Sequence, residues 1–152
     1  SGNTRCISYT KADGTGVVVA TTTAPVFDRV VRSAGSVTTT STSLVDLTGA
    51  SITLTTGAFP VHISFAGSWF NTSVTSNNIN VDIDGVLQLG TVGLQTEIVT
   101  ASREHNASFS MDSAVLTAGS HTFKIKWSVG AGTGQIEGST TFNYIFSVHE
   151  IR

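Results

Sequence analysis

The chain has one cysteine, Cys6, two prolines and one methionine among 152 residues. A single thiol closes no intramolecular disulfide, so the fold does not rest on the oxidative cross-links of small secreted scaffolds, and assembly in a reducing compartment is expected. Charge is scarce as well. Ten acids against eight bases leave a formal net charge of -2, and charged residues make up 12% of the chain, about half the usual share. So weak a field excludes recruitment of nucleic acid or of an anionic membrane surface by charge. No window approaches the roughly 20 apolar residues of a membrane-spanning helix, and the N-terminus has no basic-then-apolar leader, so a soluble chain without membrane insertion is expected. Helical periodicity is missing too: apolar residues almost nowhere recur at three-and-four spacing.

What is present is alternation, rich in Val, Ile, Thr and Phe. Ser51–Thr55, Val61–Phe65 and Ile79–Ile83 each place their apolar residues on one side and hydroxyl, amide or charge on the other. Turn signals separate such runs at Thr56-Gly57, Asp84-Gly85, Ala118-Gly119 and Gly130–Gly134. Asp84-Gly85 suits the positive φ angles of a tight hairpin. About eight to ten strands are predicted from Val26 to Ile151, the count of a two-sheet sandwich or jelly roll. The hydroxyl-rich Ser36–Gly57 stretch reads as two strands across a turn at Leu47-Thr48-Gly49, and Val26–Arg32 as an edge strand. Ser1–Pro25 holds one short apolar run, Val17–Ala20, too little for a core of its own. The expected fold is therefore an all-β, antiparallel two-sheet jelly-roll sandwich over residues 26–152, with an extended N-terminal arm over residues 1–25 that depends on a neighbour for order.

Residues that carry chemistry are scattered. His62, His105, His121 and His149 have no second ligand at i, i+2 or i, i+4, so no metal site is expected. "NVDIDG", Asn80 to Gly85, has two of the carboxylates of a calcium loop but not the later one, and reads as a hairpin with an acidic lip. There is no Gly-x-Ser-x-Gly elbow and no phosphate-cradling Gly-x-x-x-x-Gly-Lys. Glu97 with Glu104 or Glu137 could in principle pair as a glycosidase acid and base, but chance placement explains three scattered glutamates as well. No catalytic residue and no cofactor are expected, and the chain is read as a non-enzyme.

The aromatic residues say more. In "LTAGSHTFKIKWSVGAGTGQI", Leu116 to Ile136, alternation sends Phe123, Ile125 and Trp127 to the core and Lys124, Lys126 and Ser128 to water or to a neighbouring subunit. His121 falls at the rim of that core, where it should make a turn hydrogen bond. Trp69 and Phe70 are adjacent, so a regular strand points them to opposite faces, one of them toward solvent, a loop or another subunit. Tyr144 and Ile145 likewise put apolar residues on both faces of the last strand, which a homo-oligomer needs and a lone small domain seldom does. Candidate binding residues are Trp69 and Phe70 together with Gly130, Gly132 and Gly134 of the glycine loop.

The succession "LVDLTGASITLTTGAFPVHISFAGS", "INVDIDGVLQLG", "ASFSMDSAVLTAGSHTFKIKWSVGAGTGQI" and "FSVHEI" resembles a trimeric β jelly-roll domain of tailed-bacteriophage virion proteins, related to tumour-necrosis-factor and complement-type heads. The resemblance covers about Val30 to Ile151, with Leu-x-Ala-Gly-x-His-Thr before the Trp127 strand and Val-x-Glu-Ile at the end as its signposts. It implies a homotrimer on the virion surface, assembled in the host bacterial cytoplasm, as a capsid decoration protein, a head fibre or a tail-fibre tip. Two roles follow from it: a structural protein that contacts the major capsid protein or other virion proteins, and a host-attachment tip that recognises surface glycan through Trp69. It transfers no catalytic residue.

Overall fold

The computed structural model describes residues 4–10, 16–139 and 141–152, with side chains from residue 24 onward. The described residues form thirteen β-strands and no helix, arranged as two antiparallel sheets packed into a jelly-roll sandwich with a separate hairpin ahead of them.

The first sheet is built around β6 (Val61–Asn71). One side of β6 pairs with β13 (Tyr144–Glu150) along Val61–Ala66 and then with β12 (Gly134–Ile136) along Trp69–Asn71; its other side pairs with β10 (His105–Asp112). β3 (Phe27–Arg32) closes the sheet beyond β13, as the edge strand expected there, and β4 (Val37–Thr39) lies beyond β12. The second sheet runs β5 (Val45–Thr56), β11 (Gly119–Val129) and β7 (Thr75–Ile83), with β8 (Val86–Leu87) and β9 (Leu94–Ile98) both on the far side of β7.

One face of every long strand is apolar because its residues alternate, and the two apolar faces meet. Phe65, Trp69, Tyr144 and Phe146 of the first sheet pack against Phe123, Ile125, Trp127 and Val81 of the second, all buried. Truncating one of these aromatics to alanine removes about 3–5 kcal/mol of stability, transfer and cavity terms together. Across the sandwich the Tyr144 hydroxyl donates to the Thr48 carbonyl at 2.7 Å, so the core's phenol has a partner on the opposite sheet. Burial pushes the Tyr144 pKa above its ordinary value, which keeps that hydroxyl a donor.

Three expectations change here. The body has eleven strands from Phe27 to Glu150, beyond the eight to ten predicted, because β4, β8 and β12 have two or three residues each, too few for alternation to mark them in the sequence. Leu47-Thr48-Gly49 is not a turn. β5 runs through it as one twelve-residue strand, and the pairing with β11 jumps from Ser51–Lys124 to Asp46–Lys126. Extra residues accumulate on β5 as a bulge, with Gly49 at φ 85°, a conformation that glycine adopts without strain. Finally, the described part of residues 1–25 is not one extended arm: β1 (Thr4–Thr10) and β2 (Gly16–Thr23) pair antiparallel as a two-stranded sheet of their own. Its sequence signal is the Asp13-Gly14 dipeptide between the strands. The "KADGTG" stretch itself lies outside the described residues except for Gly16, and so does the side chain of Cys6.

Candidate binding surfaces

The block that draws the eye in the sequence, His121 to Trp127, divides as its alternation predicts. Phe123, Ile125 and Trp127 are buried. Lys124 and Lys126 reach across to Asp46 on β5, at 2.8 and 2.5 Å. The hydrogen bond from Lys124, then that from Lys126, holds the Asp46 carboxyl below the ordinary carboxylate range, and Asp46 raises Lys124 in turn. Both cations are thus held by one carboxylate, with Asp82 acting on Lys124 as a second anion.

His121 sits at the core rim with both ring nitrogens engaged. Nδ1 lies 2.6 Å from Asp84 Oδ2 and Nε2 lies 2.8 Å from the Thr117 carbonyl. Asp84 Oδ1 accepts from Thr122 N at 2.7 Å. Asp84 and Gly85 form the β7–β8 turn with φ of 52° and 88°, the positive pair that the Asp-Gly dipeptide predicts. His121 therefore ties this hairpin to the turn that precedes β11. With no nitrogen left to accept a proton from a nucleophile, it is not placed as a general base.

The Val-x-Glu-Ile signpost has a similar explanation. Glu150 is buried; its carboxylate accepts from Gly57 N at 2.7 Å and pairs with Arg152, whose guanidinium carbon stands 5.2 Å from the Phe59 ring centroid. The last strand is thereby fastened to the β5–β6 loop.

The predicted binding residues fare unevenly. Trp69 is 0% exposed. The reading of Trp69 as a solvent-facing glycan platform is overturned, because its parity is that of Val61, Ile63 and Phe65, and Phe70 takes the outward side, half-buried. Gly132 and Gly134 do come close to this strand, Gly134 pairing with Asn71, whereas Gly130 lies against Thr75 and Ser76 of β7. Their lack of a side chain serves packing. A Cβ on Gly132 would stand 2.4 Å from Ser73 Oγ and one on Gly134 2.4 Å from Val129 Cγ1, so the loop lies flat against its neighbours. Buried Asn71 holds it there, donating to Asn77 Oδ1 at 2.8 Å and to the Ala131 carbonyl at 3.1 Å, and accepting from Ser73 N at 2.9 Å. Glu97 lies on β9 in the second sheet, whereas Glu137 follows β12 in the first and bonds Ser36 and Gln135. Among the described residues no group of three His, Cys, Asp or Glu side chains could hold a metal ion.

Two outward surfaces remain, and they differ. On the first sheet, β3 presents Phe27 and Val31, 59% and 42% exposed, and β13 presents Ile145, 41% exposed. β6 and β10 continue that face with Ser64, Ala66, Ser108 and Ser110, small residues that leave it low. Ser64 and Ser147 bond each other at 2.7 Å, and charge is confined to Arg29 and to one end, where His62 meets Asp112 at 2.6 Å and stacks obliquely on His149. A recess of about 410 Å³ opens on it between Phe142, Ile145 and Asn106. The tyrosine–isoleucine pair of the last strand thus splits as its parity requires, Tyr144 to the core and Ile145 to this face.

The outer face of the second sheet is polar. The register places Gln95 of β9, Asn78 of β7 and Ser128 of β11 in one row across three strands. Two loops rise on either side of the row. The first is residues 42–44, fixed by the bond from Val129 N to the Ser41 carbonyl. The second is residues 87–92, fixed by Asn80, which donates to the Gly90 carbonyl at 2.8 Å and accepts from Leu89 N at 3.1 Å. Between them lies a cleft of about 330 Å³. Ser128, expected to face water or a subunit, is instead buried at its floor, because alternation assigns a face and not what covers it.

No family model matches this sequence, and no curated protein matches it. Among solved structures, the chain is similar to the EclA C-terminal domain, a sugar-binding protein, at 10% identity and a TM-score of 0.38 over 76% of this chain and 78% of that one. It is also similar to VP2 of an infectious bursal disease virus subviral particle, at 13% identity and a TM-score of 0.43, covering 87% of this chain and 40% of VP2. A T13 particle of the same virus gives 11% identity and a TM-score of 0.39, covering 95% of this chain and 40% of that one. The chain spans about two fifths of those viral chains.

Proposed function

We propose that the chain is a non-enzymatic structural protein of a bacteriophage virion: a homotrimeric capsid decoration or head-fibre protein that binds the major capsid protein and stabilises the shell from the virion surface. The sequence resemblance supplies the virion assignment. The observation that carries the assembly is the difference between the two outer faces. One bears Phe27, Val31 and Ile145 over a low bed of serines and alanine; the other bears amides and the Asp46–Lys124–Lys126 ion pairs. Other exposed apolar residues, such as Val86, Val92 and Leu94, lie on edge strands and loops, whereas Phe27, Val31 and Ile145 share one sheet face; an apolar patch on a sheet face marks a contact surface, and cyclic symmetry covers such a face in every copy at once. The first sheet then faces its neighbours and the second faces outward.

The β1–β2 hairpin supports the same reading, since two strands alone are marginal in water and gain order from a partner. Host-surface glycan recognition, the alternative role, receives no support from Trp69, which is buried.

Sedimentation equilibrium at micromolar concentration tests the assembly, with three times the 15.8 kDa chain mass expected. The double variant Val31→Glu, Ile145→Glu should run as a folded monomer, and a monomeric wild-type chain would overturn the assembly. Addition to capsids stripped of surface proteins tests the role. Saturable binding that raises their melting temperature is expected, and capsids that neither bind the protein nor gain stability refute it.

A further inference from the structure

The cleft over Asn78 and Ser128 has a composition of its own. Thr42, Ser43 and Thr91 contribute hydroxyls at its walls, Leu44, Leu87 and Val92 contribute aliphatic surface, and no charged side chain lines it. Its volume of about 330 Å³ falls at the small end of the roughly 300–1,000 Å³ typical of ligand sites.

The floor carries an unfinished hydrogen bond. Asn78 donates from Nδ2 to Ser128 Oγ at 3.2 Å, while its Oδ1 is buried with no partner among the described residues. Turning the amide over leaves the same result, one end bonded to Ser128 and the other unpaired. A buried amide end without a partner destabilises the fold by about 1–3 kcal/mol; Thr56, Trp69, Asn77 and His105 also leave such an atom, and of the five Asn78 is the one that lines this cleft. The wall above it ends in the exposed pair Thr91-Val92, between Gly90 and Gly93, both at positive φ. A Cβ on Gly90 would meet nothing within 4 Å, whereas one on Gly93 would strike the Ile79 carbonyl. The wall is thus held at both ends, by Asn80 at the Gly90 carbonyl and by the close approach of Gly93 to Ile79, and Asn78 lines the cleft beneath it.

We infer that this cleft is a binding site for a neutral polyhydroxylated ligand, a hexose or N-acetylhexosamine unit of a glycan. Ligand hydroxyls pair with Asn78, Ser128 and the wall hydroxyls, and the C–H face of the sugar lies on Leu44 and Val92. Anionic sugars and phosphates are disfavoured, because no cation lines the cleft and the nearby Lys124 and Lys126 are already held by Asp46. The site is independent of the assembly proposed above, although a second sheet turned outward would leave it accessible.

The test is a titration of the full ¹⁵N-labelled chain with methyl hexosides and methyl N-acetylhexosaminides, with N-acetylneuraminic acid and inorganic phosphate for comparison. At least one neutral glycoside should produce saturable shifts at the amides of Asn78, Thr91 and Ser128. Val92→Trp, which blocks the mouth from an exposed position, should weaken that binding at least tenfold, as should Ser128→Ala. The Val31→Glu, Ile145→Glu variant, altered on the opposite face, should bind as wild type. Shifts by no neutral glycoside, stronger shifts by the anionic probes, or unweakened binding in Val92→Trp would each overturn the inference. A trimer that fails this titration refutes the site and leaves the assembly standing; a monomer that passes it does the reverse.

Discussion

Replacing Asp84 by asparagine isolates the His121 bridge with little else disturbed. Asparagine tolerates the positive φ of the turn, and its Oδ1 can still accept from Thr122 N, the bond that contributes most to lowering the Asp84 pKa. What disappears is the carboxylate facing His121 Nδ1 at 2.6 Å. In the wild type both ring nitrogens face acceptors, so the doubly protonated imidazolium satisfies both and neutral imidazole satisfies one. The Asp84 carboxylate, and after it the Thr117 carbonyl, accordingly raises the His121 pKa above its ordinary value, with burial opposing in part.

A hydrogen bond to a charged group contributes about 1.5–3 kcal/mol. Asp84 is nearly half exposed, and solvent screening reduces that to roughly 1–2 kcal/mol, or about 2–8 °C in melting temperature for a domain of this size. A raised histidine pKa contributes stability that is fully present below the unfolded value of about 6.5 and lost as pH rises through the folded one. A lowered aspartate pKa contributes stability present above about 3.9 and lost as pH falls through its folded value. The bridge thus stabilises most between about pH 4 and 6.5. Wild type should exceed Asp84→Asn by the full amount at about pH 5.5, and the gap should close by about pH 9, where neutral His121 accepts from the asparagine amide. Thermal unfolding at fixed protein concentration measures it, with the His121 C2-proton titration alongside. A gap that stays constant across this range, or a His121 midpoint at or below the ordinary value, would refute the reasoning.

Two further substitutions examine how the last strand is held. Glu150→Gln should lower stability by about 1–3 kcal/mol in urea unfolding, since it removes the charge from a buried carboxylate that pairs with the partly exposed Arg152 and accepts from Gly57 N, while keeping the shape; a loss under 0.5 kcal/mol, roughly that of an ordinary surface change, would mean that Glu150 does not fasten the β5–β6 loop. Tyr144→Phe should lower it by about 1 kcal/mol by leaving the Thr48 carbonyl without its cross-sheet donor, and an unchanged midpoint would show that water replaces the phenol.

The fold was legible in the sequence wherever a strand was long enough to alternate. Phe123, Ile125 and Trp127 announce their face because the two intervening lysines, Lys124 and Lys126, announce the other one, and Asp84-Gly85 announces its turn because few other dipeptides accept two positive φ angles. The bulge in β5 was not legible as such. Thr48-Gly49 carries the residues of a turn and of a bulge alike, and what separates the two is whether β11 continues alongside, a contact about seventy residues away in the chain. Trp69 shows the same limit from the other side. Adjacency required one of Trp69 and Phe70 to face outward, and the parity of Val61, Ile63 and Phe65 already favoured burying Trp69.

The cleft illustrates why a site can be harder to read than a core. A core residue belongs to a periodic set, so each member predicts the next. Thr42, Asn78, Thr91 and Ser128 share no period and differ in no way from the many hydroxyls and amides around them; they meet because β7 and β11 pair, and because the loops after β4 and β8 both fold toward that pairing. The signal at the site is the combination of an unpaired amide end on Asn78, one of five described side chains with such an atom, and its place in the lining of a cleft. In a sequence so poor in charge, recognition has to be carried by hydroxyls, amides and shape, and the place to look for it is where one of those groups is buried without its partner.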